Sequence, residues 1–320
     1  MEACIGAADV GASKIRVALF RGPRLIARRA SPFPAAGGPM APSRLILEML
    51  ESLLAGTPGC GGIEALGVAS IGPLDPRRGV VEGTPNAPIK SFPLRRPLEE
   101  ALGVPVVVAN DCNAGAWAEY TLGRGSGLDS LAYIAVGTGI GGGVVIGGRL
   151  LVGPRGLGAE VGHLVLEASS RARCGCGGRG HWEALASGSA IPRTARILAR
   201  GWRGPETQAL REALRARLGA EALYAYARGG DAFALHVVDY LAGIHAAGIA
   251  SVTVAYDAQA VFLGGGALLG GWDLLAPRIR AALGEYLGYS VDVRVERCMF
   301  GEDQQLYGAA SLVLRRPETL

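Results

Sequence analysis

The chain has 320 residues, 49% hydrophobic and 19% charged, which is enough for two ordinary domains with a substantial core and too apolar for a disordered chain. Its formal charge of +4 comes from arginines spread along the sequence, which reads as solvated surface and argues against a nucleic-acid groove. No run of about eighteen residues is charge-free in the way a membrane span requires, residues 241–256 being shorter and carrying His245. The opening MEACIGAADVGASKIRVALF has no basic head or cleavage site of a leader, so a cytoplasmic protein with no membrane or nucleic-acid partner is expected.

Glycine, 50 of the 320 residues, punctuates the apolar runs. Residues 4–8 and 14–20 read as strands joined by the turn Asp9-Val10-Gly11-Ala12-Ser13. Residues 131–136 and 143–146 repeat that arrangement around Gly137-Thr138-Gly139-Ile140-Gly141-Gly142. One supersecondary unit is therefore expected twice. Between the two lie a helix at 45–54, strands at 63–69 and 104–109 and a helix at 113–120, an alternation that indicates an α/β sheet. After Gly158 comes a loop bearing glycine and cysteine, then helices at 191–200, 206–218, 220–227 and 231–256. The run 260–263 ends in Gly264-Gly265-Gly266, and 305–320 reads as a helix returning to the first domain. The expected division is 1–113 plus 305–320 as a smaller domain and 114–304 as a larger one.

A glycine-rich turn between strands lets backbone N–H groups approach a phosphate, because little side-chain bulk holds the anion away. Neither turn has the P-loop pattern or the strand-to-helix setting of a dinucleotide fingerprint. Asp111 follows the run 104–109, at the carboxyl end of a strand, where ligands bind in open α/β sheets. It serves there either as a helix N-cap or as a base that takes the proton of an attacking hydroxyl. Asn86 offers both a donor and an acceptor after a polar break, and Glu160 and His163 sit three apart, close enough to share a ligand. Cys4, Cys60, Cys112 and Cys298 are scattered and do not form the layout of a disulfide framework. Cys174 and Cys176, with His181 and His163, make instead a two-thiolate, two-imidazole set suited to structural Zn²⁺.

These segments, in this order from Asp9 to Gly266, resemble the ROK family of sugar kinases. Asp9-Val10-Gly11-Ala12-Ser13 is similar to its first phosphate motif, with Ala12 and Ser13 as departures, and Gly137-Thr138-Gly139 to its second. Gly264-Gly265-Gly266 resembles its adenosine motif. Residues 158–163 and 174–183 resemble the family's own signature, with His181 where a third cysteine is usual. The resemblance implies a two-domain actin/hexokinase-like ATPase fold, that is, duplicated ribonuclease H-like domains with the active site in the cleft. It implies ATP with Mg²⁺ held by Asp9, Gly11, Ala12, Ser13, Lys14, Gly137, Thr138, Gly139 and Gly264 to Gly266. Asn86, Asn110, Glu160, His163 and Glu183 would orient a hexose, glucose first, and Asp111 would act as general base. Fructose, mannose, N-acetylglucosamine and N-acetylmannosamine are the alternative sugars, and a monomer or a homodimer is expected. A sugar-sensing regulator would need a DNA-binding segment ahead of Asp9, for which no room is expected, and a non-catalytic binder would not need Asp111.

Overall fold

In the computed structural model, which describes residues 4–84, 87–288 and 292–320, the first glycine-rich turn joins β1 (Cys4–Val10) to β2 (Lys14–Arg21), and β3 (Arg24–Pro32) follows. Then come α1 (Ala41–Ala55), β4 (Leu66–Ser70) and a small antiparallel sheet of β5 (Leu74–Asp75), β6 (Val80–Val81) and β7 (Phe92–Pro93). α2 (Arg95–Leu102), β8 (Val106–Asn110) and α3 (Asp111–Thr121) complete this stretch. The second turn joins β9 (Ser130–Val136) to β10 (Ile140–Ile146), with β11 (Arg149–Leu150) after it. Helices follow: α4 (Trp182–Ala186), α5 (Ile191–Gly201), α6 (Gln208–Leu214), α7 (Ala220–Arg228) and α8 (Ala232–Tyr256). The chain ends through β12 (Ala260–Gly264), α9 (Gly266–Leu269), α10 (Trp272–Leu287), β13 (Arg294–Arg297) and α11 (Gln304–Leu314).

The duplication read from the turns is present in the topology. One sheet has the order β3-β2-β1-β4-β8 and the other β11-β10-β9-β12-β13. In each, a hairpin flanks one side of the first strand, and two parallel strands, reached by crossovers, flank the other. β3 carries RLIARRASP at a sheet edge, mostly half-buried or exposed; its arginines hide it from a search for apolar alternation and suit an edge that must not pair further.

The chain forms two compact units, the first of Met1–Asp129, Gly143–Ala159 and Met299–Leu320 and the second of Ser130–Gly142 and Glu160–Cys298. The first extends past the boundary expected at Ala114 because α3 packs along α11 of the same unit. α11 also lies on β4 and β1, so closely that a Cβ at Gly67 would come within 1.8 Å of the Ala309 carbonyl oxygen. The core of this unit is built from Val10, Ile15, Val17, Leu19, Ile46, Leu50, Val68 and Val108 and their neighbours. Cys4 and Cys60 form a disulfide here, with Cα atoms 5.7 Å apart, contrary to the reading of scattered thiols. They are 56 residues apart in sequence, and only the packing of the loop after α1 beside the start of β1 brings them into bonding range.

In the second unit α8 runs through the middle, packed by α10, α7 and α4. Its 25 residues are long and apolar enough to cross a membrane, beyond the 241–256 run seen in the sequence, but 61% of its most apolar stretch is buried inside the fold, as in a core helix.

Candidate active site

In the first unit β1, β4 and β8 are parallel and in register, Val10 opposite Ser70 and Ser70 opposite Asn110, so their carboxyl ends share one edge. The turn after β1 closes with the Gly11 N–H donating to the Lys14 carbonyl at 3.0 Å, and Ser13 and Lys14 are exposed. Asp9 is buried beneath it, opposite Arg16 on β2. Arg16 donates from Nε to Asp9 Oδ2 at 2.8 Å, and its Nη2 lies 2.7 Å from the same oxygen. Burial pushes the Asp9 carboxyl up, and the charge and hydrogen bond of Arg16, with a smaller share from Lys14, oppose it. Arg16 also donates to the Glu302 carbonyl and lies 3.8 Å from Asp303, which pairs with Arg28 as well. Sequence reasoning passes over Arg16; the available signal is a charge between the buried Ile15 and Val17 on a strand facing Asp9.

At the end of β8, Asn110 caps α3, its Oδ1 accepting from the Cys112 N–H at 2.9 Å and the Asn113 N–H at 3.2 Å. The capping role considered for Asp111 therefore falls to Asn110. Asp111 is the first helical residue, with Oδ1 accepting from the Cys112 N–H at 2.8 Å. The loop after β4 comes close by, the Cβ position of Gly72 lying 3.7 Å from Asn110 Nδ2. Asn86 lies outside the described residues.

In the second unit β9 and β12 are parallel with Gly264 opposite Ala135, which puts the turn Gly137 to Gly142 and the triple glycine on one edge. Gly265 has φ +87° and backs onto Val136, whose carbonyl oxygen would lie 2.4 Å from a Cβ there, so glycine is required. Gly266 opens α9 and lines a cavity of about 690 Å³ together with Gly137, Thr138, Gly188, Ser189, Tyr224 and Arg228, a size suited to a small-molecule ligand. Of the other glycines expected to hold nucleotide, Gly264 packs on the Tyr133 ring and Gly139 on Glu183. Tyr224 and Arg228 come from α7, which the sequence marks only as a helix. A larger cavity, about 970 Å³, lies in the first unit against Pro73, Arg95 and Arg155, and none of the described candidate residues lines it.

His163 stands in a short 3₁₀ turn, Cys174 and Cys176 in the following loop, and His181 immediately before α4. One ligand atom from each can be chosen so that all four lie within 4.8 Å of one another. Cys174 Sγ is 3.7 Å from His163 Nδ1, and Cys176 Sγ is 3.4 Å from His181 Nδ1. The four residues expected to bind metal thus converge. Burial pushes the Cys174 thiol up to about 12. Glu160 precedes the 3₁₀ turn; burial raises its carboxyl above the usual range, His163 opposes this and Glu183 adds to it. Glu183 accepts from the Ile140 N–H at 2.9 Å and from the Cys174 thiol at 3.1 Å. α4 is anchored by Trp182, fully buried, whose indole N–H donates to His245 Nδ1 on α8 at 3.1 Å. An imidazole that accepts there is neutral, and burial holds its pKa down at about 4.

The family model of the ROK family matches residues 5–316. The chain is 46% identical over 319 residues to a glucokinase of Aeropyrum pernix, covering 98% of each protein. Among solved structures it is similar to a ROK hexokinase from Thermus thermophilus, with 37% identity and a TM-score of 0.79 over 96% of this chain and 97% of that one. It is also similar to a ROK family glucokinase from Streptomyces griseus in complex with glucose and AMPPNP, with 31% identity and a TM-score of 0.77 over 97% of this chain and 98% of that one.

Proposed function

The chain belongs to the ROK family, and we propose that it transfers the γ-phosphoryl group of ATP to the 6-hydroxyl of a hexose, glucose above all. The observation that carries the chemistry is Asp111. It stands at the carboxyl end of a parallel strand, where Asn110 does the capping of α3, so that the Asp111 carboxylate, besides accepting from the Cys112 N–H, is placed to act as a base. As the hydroxyl oxygen attacks the γ-phosphorus, the Asp111 carboxylate takes its proton and the bond from that phosphorus to the β–γ bridging oxygen breaks, so ADP leaves with those electrons and neither a free alkoxide nor an oxonium builds up.

On the first unit Asn110 and Asp111 are the sugar-side residues, joined by Asn86. On the second they are Glu160, His163 and Glu183. The nucleotide is assigned to the cavity beside Gly137, Thr138 and Gly266, with Tyr224 as an apolar wall and the small residues admitting phosphate close to backbone N–H groups. Lys14 and the turn from Asp9 to Ser13 supply the remaining phosphate contacts. Mg²⁺ bound with ATP would neutralise phosphate charge, and Asp9 is suited to hold it through water. A cytoplasmic site of action is part of the same proposal, since ATP is the donor.

The cysteine–histidine group fits Zn²⁺. With Zn–S near 2.3 Å and Zn–N near 2.05 Å, a tetrahedral ion sets sulfur and nitrogen donors about 3.6 Å apart, and the two Sγ to Nδ1 distances of 3.7 and 3.4 Å bracket that value. Two thiolates and two imidazoles close the coordination shell, so the ion would tie the loop to the start of α4.

Replacing Asp111 by Asn tests the reading. Turnover should fall by roughly 10² to 10⁴, with ADP and glucose binding retained and thermal stability little changed, because Asn110 keeps the cap. Near-normal kcat in that variant would end the role of Asp111 as base.

A further inference from the structure

Between His181 and Ser189 one short segment touches both the metal group and the wall of the nucleotide cavity. His181 enters the metal group, and two residues later the Glu183 carboxylate accepts the Ile140 N–H of the β9–β10 turn at 2.9 Å. The carboxylate lies against that turn, where a Cβ at Gly139 would meet Glu183 Oε2 at 2.3 Å. Past α4 the same segment holds the turn again. The Gly188 N–H donates to the Gly137 carbonyl at 2.8 Å and the Ser189 N–H to the Thr138 carbonyl at 3.2 Å. Gly137, Thr138, Gly188 and Ser189 all line the cavity. Trp182, buried and bonded to His245, keeps the segment from sliding along α8.

We infer that Glu183 is a positioning residue for the nucleotide, and that α4 couples the metal group to the nucleotide cavity. This rests on the reading of the two sites given above. The link does not depend on the contact between Cys174 and Glu183, because His181 and Glu183 are two residues apart at the same helix start. When the metal holds His181, Glu183 is fixed over Ile140. When the loop is released, the Ile140 N–H, partly buried, loses a well-placed acceptor and the turn loosens. By linkage, nucleotide must strengthen metal binding by the same factor by which metal strengthens nucleotide binding. A carboxylate serving only the sugar would have no effect on nucleotide in the absence of sugar.

The test is ADP affinity by titration calorimetry on sugar-free, Mg²⁺-supplied protein, with zinc content and thermal unfolding measured on the same samples. Glu183→Ala should weaken ADP binding about tenfold, while Glu183→Gln, which keeps an acceptor oxygen for Ile140, stays within about threefold of wild type. Removing zinc from wild type with a zinc-selective chelator should weaken ADP binding in the same direction and add little in Glu183→Ala, as expected of two perturbations of one link. Unchanged ADP affinity in Glu183→Ala, or independent and additive effects of the mutation and of chelation, would overturn the inference. If Glu183→Ala does not fold, the chelated wild type decides, and unchanged ADP affinity there overturns it too. A wild-type protein that binds zinc but no ADP would refute the assignment of the cavity, a different failure.

Discussion

After β1 the chain turns over a buried carboxylate; after β9 it turns over glycines. The first turn has its charge matched from the facing strand, in a relay from Asp9 to Arg16 to Asp303 and Arg28. A disulfide ties the far end of β1 at Cys4 to Cys60. The second turn closes on itself, the Gly137 N–H donating to the Gly139 carbonyl at 2.9 Å, and is otherwise gripped by backbone groups and one carboxylate from the segment after the metal loop. A repeated strand–turn–strand unit thus fixes where the backbone N–H groups are, while what supports the turn depends on the segment packed behind it. On the function proposed above, the first design would keep the Asp9 carboxylate near Mg²⁺ and phosphate, and the second would leave room for the nucleotide.

The comparison can be broken most sharply at Arg16. Arg16→Met leaves Asp9 buried without its main counter-charge, and stability to urea should fall by about 3 to 5 kcal/mol, the usual cost of breaking a buried pair. Adding Asp9→Asn should recover part of it, because the uncompensated charge is then gone. A loss under about 1 kcal/mol would mean that the first turn is held by its backbone and not by the charge relay. Next in size, Cys60→Ser should lower stability by about 2 to 4 kcal/mol, with reductant acting similarly on wild type. ADP affinity at the second unit should not change, and if it does, the two supports are not separate. The third effect concerns the anchor behind the second turn. The unfolded His245 ring takes a proton below about pH 6.5, whereas the folded ring stays neutral down to about 4. The unfolded state therefore holds more protons in that window. Stability is lost as pH falls through it, by at most about 3 kcal/mol. Denaturant melts from pH 7 to 4 should show this slope, and His245→Gln, which can still accept from Trp182, should flatten it. An unchanged slope in the variant would place the acid sensitivity elsewhere.

What the sequence determined by itself is local. Turn glycines, apolar periodicity and the donor chemistry of side chains a few positions apart act within one segment. That is why both phosphate-type turns, α8, the strand before Asp111 and the set His163, Cys174, Cys176 and His181 can be read without coordinates. The choice of Asn110 over Asp111 as the cap of α3 is local too, but it turns on the backbone dihedral angles at the end of β8, which residue types alone do not give. Tertiary structure decided whatever depends on segments far apart in sequence. It joined Cys4 to Cys60, set Arg16 over Asp9, brought Tyr224 to the cavity and turned Glu183 toward Ile140. It also made a strand of the arginine-rich β3 and helices of α4 and α10, whose places are set by the surfaces they cover. The physical reason is range: a turn or a chelating set is specified by neighbours along the chain, whereas a partner across a sheet or behind a loop is chosen only once topology has brought distant segments within a few ångströms of each other.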